Sequence, residues 1–377
     1  MSKLFETFKI GDVALGNRIA MAPLTRSRAP HDAADERVAL YYTQRATAGL
    51  IVSEGTPISR EGQGYLFNPG IFTAEQIAGW KLTTDSVHAA GGKMFAQIWH
   101  VGRVSHPSIQ ENAKRPVSAS SKQPIGATAF GYDADGKPAL VEPPAPRALT
   151  TEEVSRVVGE FAQAAENAIQ AGFDGVEIHG ANGYLHEQFL NPLVNDRTDQ
   201  YSGGDLSNRL RFTLEVIDAV VARIGAGRVG IRISPYGQLF DMPLYDQIDE
   251  TYTALAAEIG TRRLAYVHVM DQSGFPAPGK ENSGGGPKEA FNNLLVAIKA
   301  RLPETAVILA GGMTRARAED LINDGIIDLA AFGTAYISNP DLVARLKNGW
   351  PLAEADRATF YGGDGHGYID YPPYKEG

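Results

Sequence analysis

The stretch GFDGVEIHGANGYL, residues 172–185, indicates both the fold class and the position of the functional site. Its first half is a short apolar run bounded by glycines, which is typical of a buried strand. Its second half presents His179, Asn182 and Tyr184 within six residues, directly after that strand. Two of these side chains can hold an oxyanion, and the phenol can give up a proton. A strand that ends in such groups is typical of the active-site rim of a parallel-stranded barrel, whereas a turn that merely caps the next helix is the alternative.

The same alternation of apolar strand and amphipathic helix recurs along the chain. The predicted strands are residues 18–24, 49–55, 93–100, 176–180, 228–234, 264–270, 306–312 and 329–338. Eight such strand–helix units predict an α/β protein, a single (β/α)8 TIM barrel in one domain over residues 1–377. An open doubly wound sheet is the alternative, but it would carry a GxGxxG turn after its first strand, and none stands there.

Three segments depart from this alternation. Residues 4–17 alternate weakly and predict a small N-terminal hairpin. Residues 103–150 are rich in proline and polar residues and predict an excursion after the third strand. Residues 271–288 predict a mobile loop after the sixth strand. Long loops in compact domains are uncommon unless they act as lids or binding loops, so we expect the two later segments beside the functional site.

Composition and charge exclude several classes of protein. The 377 residues are 43% hydrophobic, with no run that could span a membrane and no apolar signal core at the N-terminus. The chain has no cysteine, which removes disulfides, thiolate metal sites and cysteine nucleophiles. The formal net charge is −9 and the basic residues form no cluster, so we expect neither nucleic acid nor membrane as partner. We expect a cytoplasmic monomer or homodimer that acts on a small molecule.

In a closed barrel, the residues just past the strands converge on one pocket. Here they offer amide and hydroxyl donors, one arginine and aromatic walls, but no cluster of carboxylates. Among them are Pro23, Leu24, Thr25, Gly55, Thr56, Gln97, Trp99, His100, His179, Asn182, Tyr184 and Arg232. Such a set suits a planar polar heterocycle such as a flavin better than a metal.

The seventh and eighth predicted strands end in AGG, residues 310–312, and FGT, residues 332–334. Small residues at these positions let backbone N–H groups approach a phosphate, and barrels often hold a phosphate after these two strands. Tight turns that bind nothing are the alternative interpretation of the glycines.

Two other functions compete with a flavin enzyme. His100, His179 and His268 could be ligands in a barrel metal-dependent hydrolase. We expect no metal, because the first strand carries no His-x-His pair and His268 lies in an apolar run that suits a core histidine. A non-catalytic flavin carrier is the second alternative, and it would not need Tyr184 at the mouth of the pocket.

Motifs along nearly the whole chain resemble those of one family. The most specific are APLTRSR at 22–28, QIWHVGR at 97–103 and HGANGYL at 179–185, in this order. GIRISPYG at 230–237 and FYGGDGHGYIDYP at 360–372 extend the match. On these motifs the sequence resembles the Old Yellow Enzyme family of FMN-containing ene-reductases, and it looks most similar to the bacterial branch that reduces nitroesters and enones.

The resemblance implies that FMN lies non-covalently across the mouth of the barrel. Contacts to the flavin ring and its pyrimidine edge would come from strand ends, and a buried cation would offset the charge of the reduced ring. The implied cofactor-binding residues are Pro23, Leu24, Thr25, Gly55, Gln97 and Arg232 for the ring, with Gly311, Gly312, Gly333 and Thr334 for the phosphate.

The resemblance also implies a reaction. His179 and Asn182 would hold a carbonyl or nitro oxygen, hydride would reach the β-carbon of an electron-poor alkene, and Tyr184 would give a proton to the α-carbon. NADPH or NADH would act in the same pocket in a ping-pong cycle, so no second nucleotide-binding domain is required. Nitrate esters and nitroaromatics are further implied substrates. The implied pocket-lining aromatics are Tyr65, Trp99 and Tyr361, for which ordinary packing is the alternative.

One residue departs from the family pattern. Members usually carry a basic residue directly after FG in the eighth-strand motif, where it meets the phosphate, and this chain has Thr334. We expect Arg315 or Arg317 to compensate by turning towards the phosphate, because phosphates bind most strongly through charge-assisted hydrogen bonds. Arg315 is the favoured candidate, since it is nearer to the glycine pair.

Overall fold

Short strands, most of them buried, alternate with longer helices in the computed structural model, which describes residues 2–274 and 287–375. The strands in these ranges are β1 Phe8–Ile10, β2 Val13–Leu15, β3 Ile19–Met21, β4 Leu50–Pro57, β5 Met94–Trp99, β6 Val117–Ser118, β7 Ala129–Tyr132, β8 Pro138–Val141, β9 Arg147–Ala148, β10 Gly175–Gly180, β11 Val229–Ile233, β12 Tyr266–Met270, β13 Ala306–Ala310 and β14 Leu329–Phe332. The helices are α1 Glu36–Thr43, α2 Ala74–Ala89, α3 Thr151–Gln170, α4 Leu185–Leu190, α5 Leu206–Ile224, α6 Ile248–Arg262, α7 Lys288–Ala300, α8 Arg315–Asn323, α9 Thr334–Ser338 and α10 Leu342–Asn348.

Eight of the strands close into a parallel barrel, which confirms the predicted fold class. Their order around the barrel is β3-β4-β5-β10-β11-β12-β13-β14, and β14 pairs with β3. Strands of such a barrel are buried on both faces, because helices cover the outside and side chains fill the inside. Every residue of β5, β10 and β11 is accordingly buried.

The register of the barrel brings distant parts of the sequence level with one another. Glu177 of β10 lies opposite Gln97 of β5, and His179 lies opposite Arg232 of β11. Arg232 in turn lies opposite His268 of β12. Polar side chains from four consecutive strands are therefore gathered in one region of a barrel that is otherwise apolar.

The predicted N-terminal hairpin is confirmed and closes one end of the barrel. β1 and β2 pair antiparallel, and Ile10, Val13 and Leu15 are buried. They pack with residues at the beginnings of barrel strands, including Leu50 and Leu329. The opposite end, where the parallel strands end, is left for loops and a functional site.

The helices begin where the sequence provides caps. Thr150 accepts a hydrogen bond from the backbone N–H of Glu153, and the Glu153 carboxylate accepts one from the backbone of Thr150. This capping box satisfies two N–H groups that the first turn of α3 leaves without helical partners. The apolar face of α3 then packs on α5 and on the barrel.

Two sequence predictions need correction or restriction. The eighth strand ends at Phe332 rather than at residue 338, and residues from Thr334 to Ser338 form α9. The helix begins there because Gly333 has φ −97° and ψ −90° and turns the chain out of the strand. Of the loop predicted at 271–288, residues 275–286 lie outside the described residues. The excursion at 103–150 is confirmed, and it contains the antiparallel hairpin of β7 and β8.

Candidate active site

A cavity of about 860 Å³ opens at the carboxyl ends of the barrel strands. Its wall includes the residues after β3, β11, β13 and β14, the β7–β8 hairpin and the segment around residue 360. The sequence-predicted residues that it brings together are Pro23, Leu24, Thr25, Tyr65, Asn182, Tyr184, Arg232, Gly311, Gly312, Gly333, Thr334 and Tyr361. Residues that follow the parallel strands of the barrel therefore meet at this cavity, as the sequence predicted for most of the site.

Four predicted residues are not among those that line the cavity. They are Gly55, Gln97, Trp99 and His179. Trp99 is 2% exposed and stacks on Tyr65, with ring centroids 5.6 Å apart, and on His179, at 5.7 Å. A side chain at Gly55 would collide with the indole, because its Cβ would lie 2.6 Å from the ring. Trp99 thus supports the aromatic wall and does not itself line the cavity.

The tautomer of His179 is fixed by its own turn. The backbone N–H of Ala181 donates to His179 Nδ1 over 3.2 Å, so Nδ1 carries the lone pair. Burial, and then the nearby charge of Arg232, lower the pKa of His179 well below its usual value. A neutral imidazole with an acceptor at Nδ1 carries its proton on Nε2. His179 is therefore a hydrogen-bond donor through Nε2.

Asn182 adopts a backbone conformation that is uncommon for a residue with a side chain, with φ 58°. Its backbone N–H donates to Ser234 Oγ over 2.7 Å, and that hydroxyl donates to Glu187 Oε1 over 2.7 Å. The other Glu187 oxygen accepts the N–H of Gly183, and Tyr252 donates to Oε1 over 2.9 Å. The buried carboxylate of Glu187 thus anchors the turn that carries Asn182.

Tyr184 follows this turn and points into the cavity wall. It is 6% exposed, and its phenolic oxygen lies 2.9 Å from that of Tyr65. Burial, and then the neighbouring Tyr65, raise the pKa of Tyr184 well above its usual value. Its ring packs edge-on against Trp99, at 4.9 Å between centroids. Tyr184 is therefore a protonated phenol at neutral pH, held by its contacts with Tyr65 and Trp99.

Arg232 brings a buried positive charge to the cavity. It is 5% exposed, and no carboxylate of the described residues lies within ion-pair distance of it. Its Nε is buried without a hydrogen-bond partner, and its Nη2 lies 3.2 Å from Met270 Sδ. Burial lowers the pKa of Arg232, although the charge of Glu177 opposes this. A buried cation in this situation favours an anionic group in the adjacent cavity.

Beneath the cavity, Glu177 joins two of the predicted residues. His268 Nδ1 lies 2.8 Å from Glu177 Oε2, and Gln97 Nε2 donates to Oε1 over 2.7 Å. Burial alone would raise the pKa of Glu177, but His268 and Arg232 outweigh it and lower that pKa. His268 is therefore a core histidine, as the sequence predicted. This bond uses one N–H of the Gln97 amide, and the Gln97 Oε1 accepts no hydrogen bond from the described residues.

The glycine pair after β13 is required by geometry. Gly311 has φ 108°, and a Cβ on it would lie 2.2 Å from the carbonyl oxygen of Asp271. Gly312 has φ 54°, and the space beside its Cα is open except for Arg317 Nη1 at 3.6 Å. Both positions therefore suit glycine, and Gly312 leaves room for a group to approach the backbone.

Arg317, and not the favoured Arg315, lies beside this glycine pair. Arg317 donates to the carbonyl oxygen of Gly311 and, over 2.6 Å, to Asp271. Arg315 donates to Glu319 over 3.0 Å and to the carbonyl oxygen of residue 346 over 2.6 Å, so it points away from the glycines. The preference for Arg315 fails because its position at the start of α8 turns it towards α10.

Two arginines after β3 hold the C-terminal segment over the cavity. Arg26 is 1% exposed and donates to the carbonyl oxygens of Phe360, over 2.8 Å, and Gly367, over 2.9 Å. Arg28 donates to further carbonyl oxygens of the same segment. Phe360 and Tyr361 thereby reach the rim, where Tyr361 stays 69% exposed.

Sequence reasoning missed several residues of the site. Glu187 and Ser234 hold the Asn182 turn, while Phe130, Leu140 and Phe240 form apolar parts of the wall. The three apolar residues could have been found from the sequence, because they lie in the predicted excursion and in a loop that follows a strand. Spacing in the chain gave no signal for Glu187.

Within residues 2–274 and 287–375, no group of three or more His, Asp or Glu side chains is arranged to hold a metal ion. The helices of that part of the chain are all too short or too polar to cross a membrane.

Comparison with known proteins agrees with this geometry. The model of the NADH:flavin oxidoreductase / NADH oxidase family matches residues 3–353. 12-oxophytodienoate reductase 7 of Oryza sativa subsp. japonica is 43% identical over 378 residues, which covers 98% of this chain and 94% of that protein. 12-oxophytodienoate reductase 1 of the same plant is 40% identical over 383 residues, which covers 99% and 93%.

Solved structures give the same result. Morphinone reductase superposes with a TM-score of 0.93 at 42% identity, covering 99% of this chain and 96% of that one. The old yellow enzyme homologue from Zymomonas mobilis superposes with a TM-score of 0.90 at 34% identity, covering 99% and 100%. These relatives are reductases, which argues against a barrel hydrolase and a non-catalytic carrier. The chain belongs to the NADH:flavin oxidoreductase / NADH oxidase family, and within it to the Old Yellow Enzyme type of flavin-dependent oxidoreductase.

Proposed function

We propose that this protein is an FMN-dependent ene-reductase that uses NADH or NADPH to reduce electron-poor C=C bonds in enones, enals and nitroalkenes. Its substrates would carry a carbonyl or nitro oxygen next to the double bond. Nitrate esters and nitroaromatics are the second proposed substrate class, because the same oxygen-binding groups suit a nitro group. The relatives named after 12-oxophytodienoate and morphinone support reduction of this kind.

The residues around the cavity fit FMN. Arg232 is a buried cation with an unpartnered Nε, which suits the anionic edge of a reduced flavin. Gln97 Oε1 accepts no hydrogen bond from the described residues, which suits an N–H donor on the flavin pyrimidine. Pro23, Leu24 and Thr25 would face the ring, and Gly55 would contribute to the same site. This fit supports the proposed cofactor residues.

The proposed phosphate site lies at the ends of β13 and β14. Gly311, Gly312 and Gly333 would offer backbone N–H groups, since glycine has no side chain of its own to keep a phosphate from the backbone. Thr334 would add one neutral hydrogen bond. Arg317, beside Gly311 and Gly312, is the nearby cation of this region.

We propose that His179 and Asn182 bind the substrate oxygen. His179 is neutral and donates through Nε2, as its contact with Ala181 requires. Donors that are held before the reaction stabilise charge as it develops on the oxygen. The chemistry that bound FMN supplies is hydride transfer, from NADH or NADPH to the β-carbon of the substrate. Tyr184, kept protonated by burial, would give the proton to the α-carbon.

The nicotinamide would use the same cavity as the substrate. A solved structure of morphinone reductase is a complex with tetrahydroNAD, and it superposes on this chain with a TM-score of 0.92. A shared pocket gives the ping-pong order, in which the reductant leaves before the substrate binds. The choice between NADH and NADPH, the cytoplasmic location and the monomeric or homodimeric state stay predictions.

The single observation that carries the proposal is that the end of β10 and the turn after it bring together two neutral donors, His179 and Asn182, and a protonated phenol, Tyr184. Asn182 and Tyr184 line the cavity, and His179 packs edge-on against Tyr184. The purified protein should be yellow, release FMN on denaturation, and oxidise NADH or NADPH when a cyclic enone is added. Para-substituted phenols should bind and produce a long-wavelength charge-transfer band. His179→Ala and Asn182→Ala should each weaken that binding by about 1–3 kcal/mol, the scale of a hydrogen bond to a charged group. A colourless protein that takes up no FMN would reject the proposal.

A further inference from the structure

We propose that Gln272 is a positioning residue that orients the side-chain amide of Asn182, so that its NH2 group and not its oxygen faces the substrate. This inference rests on the proposed function, in which Asn182 binds the substrate oxygen. Gln272 lies in the segment directly after β12, distant in sequence from the turn that it would control.

The orientation is set by a group that can only donate. The backbone N–H of Gln238 donates to Gln272 Oε1 over 3.3 Å. A backbone N–H has no acceptor capacity, so the oxygen of the Gln272 amide must face it. The NH2 group of Gln272 therefore faces the other way, where it donates to Asn182 Oδ1 over 2.8 Å. The backbone N–H of Gln238 thus fixes the orientation of the Gln272 amide, which in turn fixes the orientation of the Asn182 amide.

The consequence reaches the cavity. Because Asn182 Oδ1 accepts from Gln272, its Nδ2 is the atom left to face the cavity that Asn182 lines. No described residue accepts a hydrogen bond from Nδ2. If the Asn182 amide flipped, its NH2 would face the NH2 of Gln272, and two donors would be left without acceptors. An unsatisfied buried polar group costs about 1–3 kcal/mol, so the donating orientation is strongly favoured.

Gln272 is held firmly enough to act in this way. It is 6% exposed, and its amide lies 3.0 Å from where a Cβ on Gly237 would be. The preceding residue, Asp271, donates its backbone N–H to Ala310 over 2.8 Å and pairs with Arg317. The segment is therefore attached to the barrel on one side and packed against the loop after β11 on the other.

Glu187 and Gln272 position different parts of Asn182. Glu187 acts on the backbone through Ser234, which holds the residue at φ 58°. Gln272 acts only on the side chain. A change at Gln272 should therefore alter which end of the Asn182 amide faces the cavity without moving the turn. An experiment can thus distinguish this role from general structural support.

The test is Gln272→Glu in the FMN-loaded protein, with 4-chlorophenol as the probe. A carboxylate of the same shape still accepts from Gln238, but it cannot donate to Asn182 Oδ1. The Asn182 amide should flip to donate to the new carboxylate, and its oxygen would then face the phenolate. We expect the dissociation constant of 4-chlorophenol, followed by its charge-transfer band, to rise about tenfold or more. The KM for a cyclic enone should rise with it, while the FMN content stays that of the wild type.

The Asn182→Ala background is the matched control. If Gln272 acts through Asn182, Gln272→Glu should cause no further loss of phenol binding when Asn182 is already alanine. An equal loss in both backgrounds would overturn the inference, because it would show a direct charge effect or a disturbed loop. Phenol binding in Gln272→Glu at the wild-type level would overturn it as well.

A neutral variant keeps the test decisive if Gln272→Glu does not fold. Gln272→Met removes the donor without adding charge and leaves the Asn182 amide free to take both orientations. It should weaken 4-chlorophenol binding severalfold, and again only when Asn182 is present. If the wild-type protein binds no phenol and reduces no enone, the proposed function is rejected. If the wild type does both and the Gln272 variants bind phenol equally well, only the role of Gln272 is rejected.

Discussion

The phenolic oxygens of Tyr65 and Tyr184 lie 2.9 Å apart in the wall of the cavity. Burial is the main reason why the pKa of each phenol is raised, so both are protonated at neutral pH. Two hydroxyls that share one hydrogen bond use one of their two protons in it and leave the other to donate elsewhere. The pair therefore keeps one proton available at the cavity.

We expect Tyr184→Phe to leave reduction of the flavin by NADPH nearly intact and to slow reduction of a cyclic enone by about 10²-fold or more, the scale of a lost general acid. The two half-reactions would be measured separately by stopped flow. Tyr65→Phe is the matched control, because it removes the partner oxygen and keeps the acid, and its effect should be smaller. The raised pKa of Tyr184 predicts no loss of the second half-reaction as pH rises from 7 towards its usual value of about 10. Equal slowing of both half-reactions would mean that Tyr184 acts through packing.

Glu187 makes stability depend on pH. Burial raises the pKa of its carboxyl from 4.5 to about 7, although hydrogen bonds from Gly183, Ser234 and Tyr252 act in the opposite direction. The folded protein therefore binds more protons at this site than the unfolded chain does between these two pH values. Its contribution is greatest below pH 4.5 and is lost as pH rises through 7.

The measurement is a pair of urea titrations, of wild type and Glu187→Gln, at several pH values from 4.5 to 8. Relative to the variant, the wild type should lose about 3 kcal/mol of unfolding free energy between pH 4.5 and pH 8, since a shift of one pKa unit corresponds to about 1.4 kcal/mol. The comparison isolates Glu187 from Glu54, another buried carboxyl whose pKa burial raises to about 7. Parallel stability curves for the two proteins would show that Glu187 does not titrate in this range.

The buried charge of Arg232 should lower the free energy of unfolding when no anionic partner is bound. It is buried and has no ion pair among the described residues, so its desolvation is compensated only in part. We expect Arg232→Met to leave the FMN-free protein as stable as the wild type or more stable. The rise in melting temperature on adding FMN should shrink in the variant, because ligand stabilisation falls with affinity. A variant with a less stable FMN-free form and an unchanged rise on adding FMN would contradict this account.

The sequence could predict which residues stand at strand ends because that depends only on strand position. Pro23, Arg232 and the glycines after β13 and β14 converge because parallel strands of a closed barrel all end at one face. The same rule fails for Trp99, because a position at a strand end does not tell whether the side chain reaches the cavity or lies behind another ring. The end of β14 was misjudged because TAYIS is apolar enough for either a strand or a buried helix.

The contacts that orient the site could not be read from the sequence. Nothing in the segment LHEQFL, residues 185–190, distinguishes Glu187 from its polar neighbours, and only the fold brings its carboxylate to Gly183 and Ser234. Gln272 meets Asn182 across 90 residues of chain, through two loops whose relative position no periodicity encodes. Local pattern thus predicted the chemical groups of the site, and tertiary structure determines their orientation.

The departure at Thr334 leads to a last prediction about the FMN phosphate. Arg317 lies beside Gly311 and Gly312 and shares its charge with Asp271 over 2.6 Å, whereas Arg315 points towards Glu319. Removing Arg317 would take away a cation and would also leave the nearly buried carboxylate of Asp271 close to the phosphate. We therefore expect Arg317→Ala to weaken FMN binding by about 1–2 kcal/mol, somewhat less than a fully buried charged hydrogen bond.

Arg315→Ala is the matched control and should leave FMN affinity unchanged. Affinity would be measured by fluorescence quenching of free FMN at low and high salt, and the loss in Arg317→Ala should shrink at high salt because ions screen a partly exposed charge. Adding Asp271→Asn to Arg317→Ala should recover part of the loss by removing the repulsion. Adding Thr334→Arg instead should recover it by placing a cation where family members usually carry one. Equal losses in Arg315→Ala and Arg317→Ala, or no loss in either, would show that the backbone N–H groups of the glycines hold the phosphate without help from Arg317.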